Sequence, residues 1–478
     1  MKHTLIPTDR KALTINIDTK LYGTFAEIGG GQEVARHFFM AGGSSNTVAK
    51  SVSAYDKSFS DASYNKNKPG RHVSEERLNK MLDIEYKQLA GVLDDRSDNF
   101  CFFTLADTVE TINYTKSNYS HGWMGIKFQL NPNTPPNTVI IHLKLLEYDA
   151  VLQQQTIGTI GVNLLYACKF YHDSPNDFLK SLTDNLSMDR FRITMMRMSG
   201  PDVDYVDNRL LAVQLVKNKM TQSIMFDKHG DVQQPSDMLY KKNVLALRGS
   251  FRPITYITRD ILSKSAELFA RDEDYDPNNT LSFCELTLNN LTMKGAFDDQ
   301  DFLERINMLN AIGQNVMVSD IREYYKLVEF FSQFKIKNLR IVMGVPTFEK
   351  VVSKKYYTDL KAGILEAMAK LFPSNMKLYI YPTIKDVKGE KIMQRAKDVK
   401  MEKDVKLLFD YLQTKRSVLD LDTSMSHQLH IRSHEVLSML QSENQDWEKY
   451  VPMNVAGMIH ERGLFKSDKK NIRKAKTL

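Results

Sequence analysis

One glycine-containing turn in the second half of the chain has residues suited to phosphate binding. The run Leu-Arg-Gly-Ser-Phe-Arg-Pro-Ile-Thr-Tyr-Ile-Thr follows a predicted strand and precedes a predicted helix, with its glycine at Gly249. Glycine allows close backbone approach, and the first N–H groups of a helix attract phosphate. In an open parallel sheet, such a turn lies at the carboxyl edge, where ligands bind. On these features alone, an ordinary strand–turn–helix connection is the favoured explanation of the segment.

A second glycine-rich segment lies near the N-terminus. Gly29, Gly30 and Gly31 precede a predicted short helix, and Arg36 and Lys50 follow. Backbone N–H groups and these two cations could together bind an anion. The glycine spacing matches neither the P-loop nor the dinucleotide-binding fingerprint. Helix ends and tight packing are the alternative explanation of the same glycines.

The histidines and cysteines indicate no metal site. His427, His430 and His434 are close in sequence, and the last two are spaced to share one helix face. No carboxylate or cysteine completes an evident ligand set around them. The three cysteines are scattered along the chain, which argues against a disulfide framework and fits a reducing compartment.

Composition predicts a soluble, cytoplasmic globular protein. The 478 residues are 42% hydrophobic and 26% charged, which are ordinary values for packed domains. No stretch approaches the ~18 consecutive apolar residues of a membrane helix. The first residues show no apolar core of a secretion signal. These features exclude a membrane protein as the leading interpretation.

The net charge does not indicate a nucleic-acid-binding protein. The formal charge is +7, but the last 13 residues carry six basic side chains and one acidic side chain. Most of the excess charge therefore belongs to a short tail, which does not form a basic groove. We accordingly expect no nucleic-acid partner.

The order of the predicted elements divides the chain into two domains. Runs of strands and helices up to about residue 240 indicate an α+β domain. Apolar strands then alternate with helices, which indicates a doubly wound, mainly parallel sheet covered on both faces. The predicted organisation is an N-terminal arm (1–20), an α+β domain of unknown role (21–240), a nucleotidyltransferase-like α/β domain (241–465, with a charged linker or insertion at 385–406) and a basic tail (466–478).

The two ends of the second domain resemble the nicotinate- and nicotinamide-mononucleotide adenylyltransferases. The family's Gly-x-Phe-Asp-Pro-x-His-x-Gly-His motif aligns without a gap with the turn at Gly249. The family's closing Ile-Ser-Ser-Thr-x-x-Arg stretch, Val-Pro turn and Gly-Leu-Tyr end also have counterparts. The matching positions are Gly249, Phe251, Pro253, Ile254, Ile431, Ser433, Val451, Pro452, Val455, Ile459, Gly463, Leu464 and Phe465.

The chain departs from this family at its catalytic positions. Thr255 and Thr258 replace the two histidines that contact phosphate, Arg252 replaces the aspartate, and Leu437 replaces the closing arginine. A threonine hydroxyl gives a neutral hydrogen bond, roughly half as strong as a charge-assisted one. The resemblance implies Arg252, Thr255 and Thr258 as catalytic residues. It implies nucleotide contacts from Gly249, Ser250, Phe251, Arg432 and Ser433.

The start Leu-Tyr-Gly-Thr-Phe-Ala-Glu-Ile-Gly also resembles a group of bacterial proteins described as nicotinate-nucleotide adenylyltransferases. Two hypotheses follow from these resemblances. The first is a nucleotide-binding enzyme that transfers AMP from ATP, with Mg²⁺, to a pyridine mononucleotide. The second is a catalytically degenerate domain that senses a nucleotide or another phosphorylated small molecule, or that serves in assembly. The sequence does not indicate an oligomeric state.

Overall fold

The computed structural model describes residues 3–66, 68–292, 295, 297–387 and 389–465. The chain forms two compact units, residues 1–221 and 222–478. The sequence placed this boundary near residue 240. The difference arises because Ser223–Phe226 pairs antiparallel with Asn315–Ser319, a strand of the second sheet.

The first unit combines a mixed sheet with helices. Its strands are β1 (Leu21–Gly29), β2 (Val48–Val52), β3 (Cys101–Glu110), β4 (His121–Phe128), β5 (Asn137–Leu145) and β6 (Phe191–Ser199). Its helices are α1 (Thr8–Asn16), α2 (Val34–Ala41), α3 (Lys57–Tyr64), α4 (Glu75–Val92), α5 (Ala150–Phe170), α6 (Pro175–Leu182) and α7 (Asn208–Lys217). The predicted irregular arm is thus a helix. It is held because buried Lys11 pairs with Asp184 at 2.7 Å.

The first sheet has the order β2-β1-β3-β4-β5-β6. Its first three strands are parallel, and the remaining neighbours are antiparallel. A large apolar cluster covers one face, where α1, α2, α5 and α6 supply residues such as Ile15, Phe38 and Leu164. Helix α4 packs on β3 and β4. Ser74 is the N-cap of this helix, since the Ser74 hydroxyl accepts from the Arg77 amide.

The second unit alternates strands and helices. Its strands are β7 (Ser223–Phe226), β8 (Val232–Gln233), β9 (Asn243–Arg248), β10 (Thr280–Thr287), β11 (Asn315–Ser319), β12 (Asn338–Gly344), β13 (Met376–Tyr381), β14 (Thr383–Val387), β15 (Glu390–Gln394) and β16 (Val418–Asp420). Its helices are α8 (Pro235–Leu239), α9 (Tyr256–Phe269), α10 (Leu288–Thr292), α11 (Asp299–Ala311), α12 (Tyr324–Ser332), α13 (Val345–Val351), α14 (Gly363–Leu371), α15 (Lys403–Thr414), α16 (Ser433–Gln441) and α17 (Met453–Arg462).

The second sheet confirms the predicted doubly wound α/β architecture. Its order is β16-β13-β12-β9-β10-β11-β7-β8, and the first six strands are parallel. Counted along the chain, these six parallel strands have the order 3-2-1-4-5-6 of doubly wound nucleotide-binding sheets. The chain reverses direction across the sheet between β9 and β12. The carboxyl ends of these two strands therefore mark the topological switch point.

The charged segment predicted as a linker or insertion forms local structure. Strands β14 and β15 make an antiparallel hairpin between β13 and α15. The predicted basic tail lies outside the described residues. Within the described ranges, no helix combines the length and apolar character needed to cross a bilayer.

Candidate functional site

The turn at Gly249 connects β9 to α9 at the switch point. The Gly249 amide donates to the Glu285 carbonyl at 3.1 Å, and the Asn290 side chain donates to the Gly249 carbonyl at 3.2 Å. A β-carbon at Gly249 would lie 3.0 Å from the Phe251 ring, which is tighter than ordinary contact. Phe251 is buried and has a φ of 48°. Glycine at this position thus lets the buried Phe251 ring pack closely over the turn.

Thr255 and Thr258 cap the helix that follows the turn. The Thr255 side chain accepts from the Thr258 amide, and the Thr258 hydroxyl accepts from the Thr255 amide. Both residues are buried. Such reciprocal capping satisfies two backbone donors that the helix cannot satisfy itself. The first two amides of α9, on Tyr256 and Ile257, have no acceptor within the helix and can donate to a ligand.

Arg252 is neutralised by a neighbouring helix. Its Nε lies 2.7 Å from Asp301 of α11, and its guanidinium lies 5.6 Å from the Phe465 ring centre. Asp301 also pairs with Arg305, whose guanidinium donates to the Ser250 carbonyl at 3.2 Å. Phe465 belongs to the second sequence motif, so the two motifs meet here. Arg252, which the resemblance implies as a catalytic residue, is therefore paired with the Asp301 carboxylate.

A buried ion pair joins the ends of β9, β10 and β11. Arg248 donates twice to Glu285, at 2.9 Å each, and the Ser319 hydroxyl donates to the same carboxylate at 2.6 Å. Arg248 also donates to the carbonyls of Ile321 and Arg322. Burial lowers and the Glu285 charge raises the pKa of Arg248, with a net increase. Sequence reasoning missed this pair because its members are far apart in the chain.

A second network ties α9 to the segment after β16. The Asp260 carboxylate accepts from the Tyr381 hydroxyl at 2.6 Å, the Thr423 hydroxyl at 2.9 Å and the Ser424 amide at 3.1 Å. Burial, followed by the hydrogen bond to Asp260, raises the pKa of Tyr381. The carboxyl ends of parallel strands share one sheet edge, and that rule would have placed Tyr381 and Thr423 near α9.

Arg432 and Ser433 begin α16. The Arg432 amide donates to Glu435 at 2.6 Å, and the Arg432 side chain is exposed. In the part of the chain that the structure describes, no hydrogen bond or ion pair connects either residue with the turn 249–258. Their predicted nucleotide contacts stay a prediction.

The surroundings of the turn do not fit a protein-held Mg²⁺. Mg²⁺ in nucleotide sites takes one or two carboxylates together with phosphate oxygens and water. The nearby carboxylates of Asp301 and Glu285 are both paired with arginines. Among the described residues, no group of three or more ligating side chains could hold a metal ion. Any Mg²⁺ here would depend on the phosphate oxygens of a bound nucleotide.

The N-terminal glycine segment surrounds two buried acids. Glu27 of β1 accepts from the amides of Val34 and Ala35, at 2.8 and 3.2 Å, and so occupies the N-terminus of α2. Asp107 of β3 is the register partner of Glu27 and is fully buried. A β-carbon at Gly31 would lie 1.7 Å from an Asp107 oxygen. Gly31 is thus required by close packing on a carboxyl group.

Burial governs the protonation of this acid pair. Burial raises the pKa of Glu27 to about 7, although the Val34 and Ala35 amides oppose the increase. Burial, followed by the charge of Glu27, raises the pKa of Asp107 well above its ordinary range. Glu27 and Asp107 are register partners on neighbouring strands, so ionising one carboxyl group disfavours the ionisation of the other.

This arrangement argues against the predicted anion site at Gly29, Gly30 and Gly31. The helix amides that would bind the anion already bind a carboxylate. Arg36 pairs with Glu33 at 3.0 Å, and Lys50 pairs with Glu85. Both predicted cations are therefore neutralised, and a buried acid pair lies beneath the turn.

No family model and no curated protein matches the chain. Among solved structures, the competence/damage inducible protein CihA of Agrobacterium tumefaciens is 16% identical. The match covers 33% of this chain and 92% of the CihA chain, with a TM-score of 0.23. A CinA-superfamily protein of Klebsiella pneumoniae is 12% identical, and the match covers 34% of this chain and 96% of that protein, with a TM-score of 0.26. A competence or damage-inducible protein of Enterobacter asburiae is 11% identical, and the match covers 34% of this chain and 95% of that protein, with a TM-score of 0.25. Likenesses this weak carry no argument about function.

Proposed function

We propose that the second unit binds a nucleotide or another phosphorylated small molecule at its switch point, without transferring an adenylyl group. The ligand phosphate would lie against the first turn of α9, where the amides of Tyr256 and Ile257 point toward it. The unit would then act as a ligand sensor or an assembly module.

The observation that carries the proposal is the position of the Gly249 turn in the 3-2-1-4-5-6 sheet. The turn follows the first parallel strand and lies beside the point where the strand order reverses. In doubly wound sheets, this crevice outside the carboxyl ends of the strands is where ligands bind. The dipole of the 14-residue helix α9 adds favourable charge for a phosphate.

The contacts of the predicted catalytic residues support binding over transfer. Adenylyl transfer requires donors that stabilise the charge of the transferring phosphoryl group. Arg252 and Arg248 are paired with carboxylates, and Thr255 and Thr258 cap each other's backbone. The hydroxyls that replace the family's histidines thus accept in the helix cap, and a hydroxyl can offer a phosphate only a neutral hydrogen bond, which is weaker than a charge-assisted one.

Calorimetric titration of the full chain with ATP and AMP tests binding, and Tyr256→Pro tests its location. Proline fits the first position of a helix and removes the amide donor there together with the tyrosine side chain, and Tyr256→Ala removes the side chain while keeping the amide. Losing one hydrogen bond to a charged phosphate costs about 1.5–3 kcal/mol, or at least about tenfold in Kd. Lys403→Pro, at the first position of α15, is the matched control and should leave affinity unchanged.

A coupled assay for adenylyl transfer to nicotinate and nicotinamide mononucleotide completes the test. We expect nucleotide binding and no turnover above the protein-free rate. Turnover would overturn the sensor proposal in favour of the enzyme. Absence of binding by the unmodified chain, or equal affinities for the unmodified chain and Tyr256→Pro, would overturn the proposed site.

A further inference from the structure

A cleft opens at the carboxyl end of β11, along the same sheet edge as the switch point. Its volume is about 500 Å³, which lies within the range of small-molecule sites. The parallel strands β9, β10 and β11 end at this edge, where ligands bind in doubly wound sheets. The lining residues come from the β11–α12 loop, from α12 and its last turn, and from Gln222 before β7. The cleft therefore has the volume and the position of a ligand site.

The loop that forms one wall of the cleft is held through its backbone. Arg248 donates to the carbonyls of Ile321 and Arg322, at 3.0 and 2.6 Å. The Asp320 amide donates to the Gln222 carbonyl at 2.9 Å. Ile321 is buried, while Asp320 and Arg322 on either side of it are exposed. Two oppositely charged side chains are thus presented from a backbone that other residues hold in place.

The charged residues of the cleft fall into two groups. Glu323 pairs with Lys326 at 3.1 Å, and Glu329 pairs with a lysine of α14 at 3.5 Å. Asp320 and Arg322 also line the cleft, and within the described ranges their side chains form no ion pair and no hydrogen bond, either with each other or with another residue. The described lining thus offers a ligand one unpaired carboxylate and one unpaired guanidinium.

This pattern of charges disfavours a simple ion and favours a zwitterion. An anion such as phosphate would be repelled by the carboxylates of the cleft, and a cation would be repelled by the Arg322 guanidinium. A zwitterion satisfies both unpaired groups, because its carboxylate fits the planar fork of Arg322 and its ammonium group donates to Asp320. Ile321 and Phe330 add apolar surface to the lining.

We propose that this cleft binds an α-amino acid with an apolar side chain. Arg322 binds its carboxylate, Asp320 binds its ammonium group, and Phe330 contacts its side chain. The nucleotide site proposed above lies at the end of β9, and neither proposal requires the other.

Titration of the full chain with L-leucine, L-methionine and L-phenylalanine, followed by saturation-transfer difference NMR, tests the site. Asp320→Asn and Arg322→Gln should each weaken L-leucine binding by about three- to tenfold, the effect of losing one partly exposed charged contact. Isocaproate lacks the ammonium group of L-leucine, and isopentylamine lacks its carboxylate. Both compounds should bind more weakly than L-leucine by a similar factor.

The two variants should differ in which part of the ligand they stop recognising. Asp320→Asn should remove the preference for L-leucine over isocaproate, and Arg322→Gln should remove the preference over isopentylamine. The matched control combines Glu323→Gln with Lys326→Gln, which removes a paired acid and base from the same cleft without changing its net charge. This control should leave the affinity for L-leucine unchanged, and circular dichroism checks that every variant is folded.

Three results would overturn the proposal. The first is that none of the three amino acids binds to the unmodified chain. The second is that the affinity for L-leucine is unchanged in Asp320→Asn, in Arg322→Gln or in both, since recognition of a zwitterion requires both contacts. The third is that the control loses as much affinity as the single variants, which would mean that the two unpaired side chains have no special role. Weaker binding in both single variants, together with unchanged binding in the control, supports the proposal.

Discussion

The two sheets treat buried acidic groups at the carboxyl ends of parallel strands in opposite ways. In the second unit, Glu285 is held by two hydrogen bonds from Arg248 and one from Ser319. In the first unit, Asp107 has no described side-chain partner, and Glu27 beside it binds only backbone amides. The comparison teaches that a buried carboxylate can be compensated by an arginine, as at Glu285, whereas burial raises the pKa of the uncompensated Glu27 and Asp107.

The largest effect is expected from breaking the compensated pair with Arg248→Met. The change leaves the Glu285 charge buried with one hydroxyl donor. Removing one partner of a buried ion pair costs about 3–5 kcal/mol. The free energy of unfolding of the second unit, followed by hydrogen exchange in β10, should fall by that amount. Lys264→Met removes a partly exposed lysine of a surface ion pair and should change it far less. Equal losses would contradict a special role for Arg248.

The uncompensated pair should make the stability of the first unit depend on pH. Its raised pKa values mean that the folded state holds protons which the unfolded state releases above about pH 4. The free energy of unfolding should therefore fall as pH rises through about 7, by on the order of 3 kcal/mol.

Asp107→Asn should reduce this pH dependence without abolishing it. Asparagine cannot ionise, whereas burial still raises the pKa of Glu27 in the variant. Urea unfolding between pH 5 and 8 measures the slope. Glu76→Gln, at an exposed acid on α4, is the control and should preserve it. A slope that persists unchanged in Asp107→Asn would show that other groups cause it.

Gly31→Ala tests the packing above the acid pair. The added methyl would overlap an Asp107 oxygen, and overpacking of this kind costs about 1–3 kcal/mol. A β-carbon at Gly91 in α4 would have no atom within 4 Å. Gly91→Ala should therefore raise the free energy of unfolding by about 0.5–1 kcal/mol. Thermal or urea unfolding distinguishes them, and the same sign for both would refute the steric account.

The smallest effect is expected at the helix cap of the second unit. Thr255→Ala removes the acceptor for the Thr258 amide and should cost about 1 kcal/mol. Thr255→Ser keeps the hydroxyl and should behave nearly like the unmodified chain. A catalytic hydroxyl would show the opposite pattern, with changed turnover and unchanged stability.

Local sequence patterns predicted much of the fold. A serine at position 74 followed by apolar residues at helical spacing is a pattern that predicts α4. Short apolar strands between helices predicted the parallel sheet of the second unit. Helix α1 was missed because its polar Lys11 is stabilised by Asp184, which is remote in sequence. The boundary was placed too late because β7 pairs with the distant strand β11.

The candidate site was predicted only where neighbouring residues determine it. The Gly249 turn and the helix after it lie where expected. The capping contact of Thr255 with Thr258 could have been predicted from the Thr-x-x-Thr pattern at the helix start, which is a variant of the capping box. The pairing of Arg252 with Asp301 depends on the packing of α11 and has no local signal.

Hydrogen–deuterium exchange of the full chain, with and without saturating ATP, tests the central claim most directly. If the second unit binds nucleotide at its switch point, the peptide spanning 249–258 should gain protection. Tyr256→Pro should lose that protection, while Lys403→Pro should keep it. Unchanged exchange at 249–258, despite ATP binding detected by calorimetry, would contradict the proposed site.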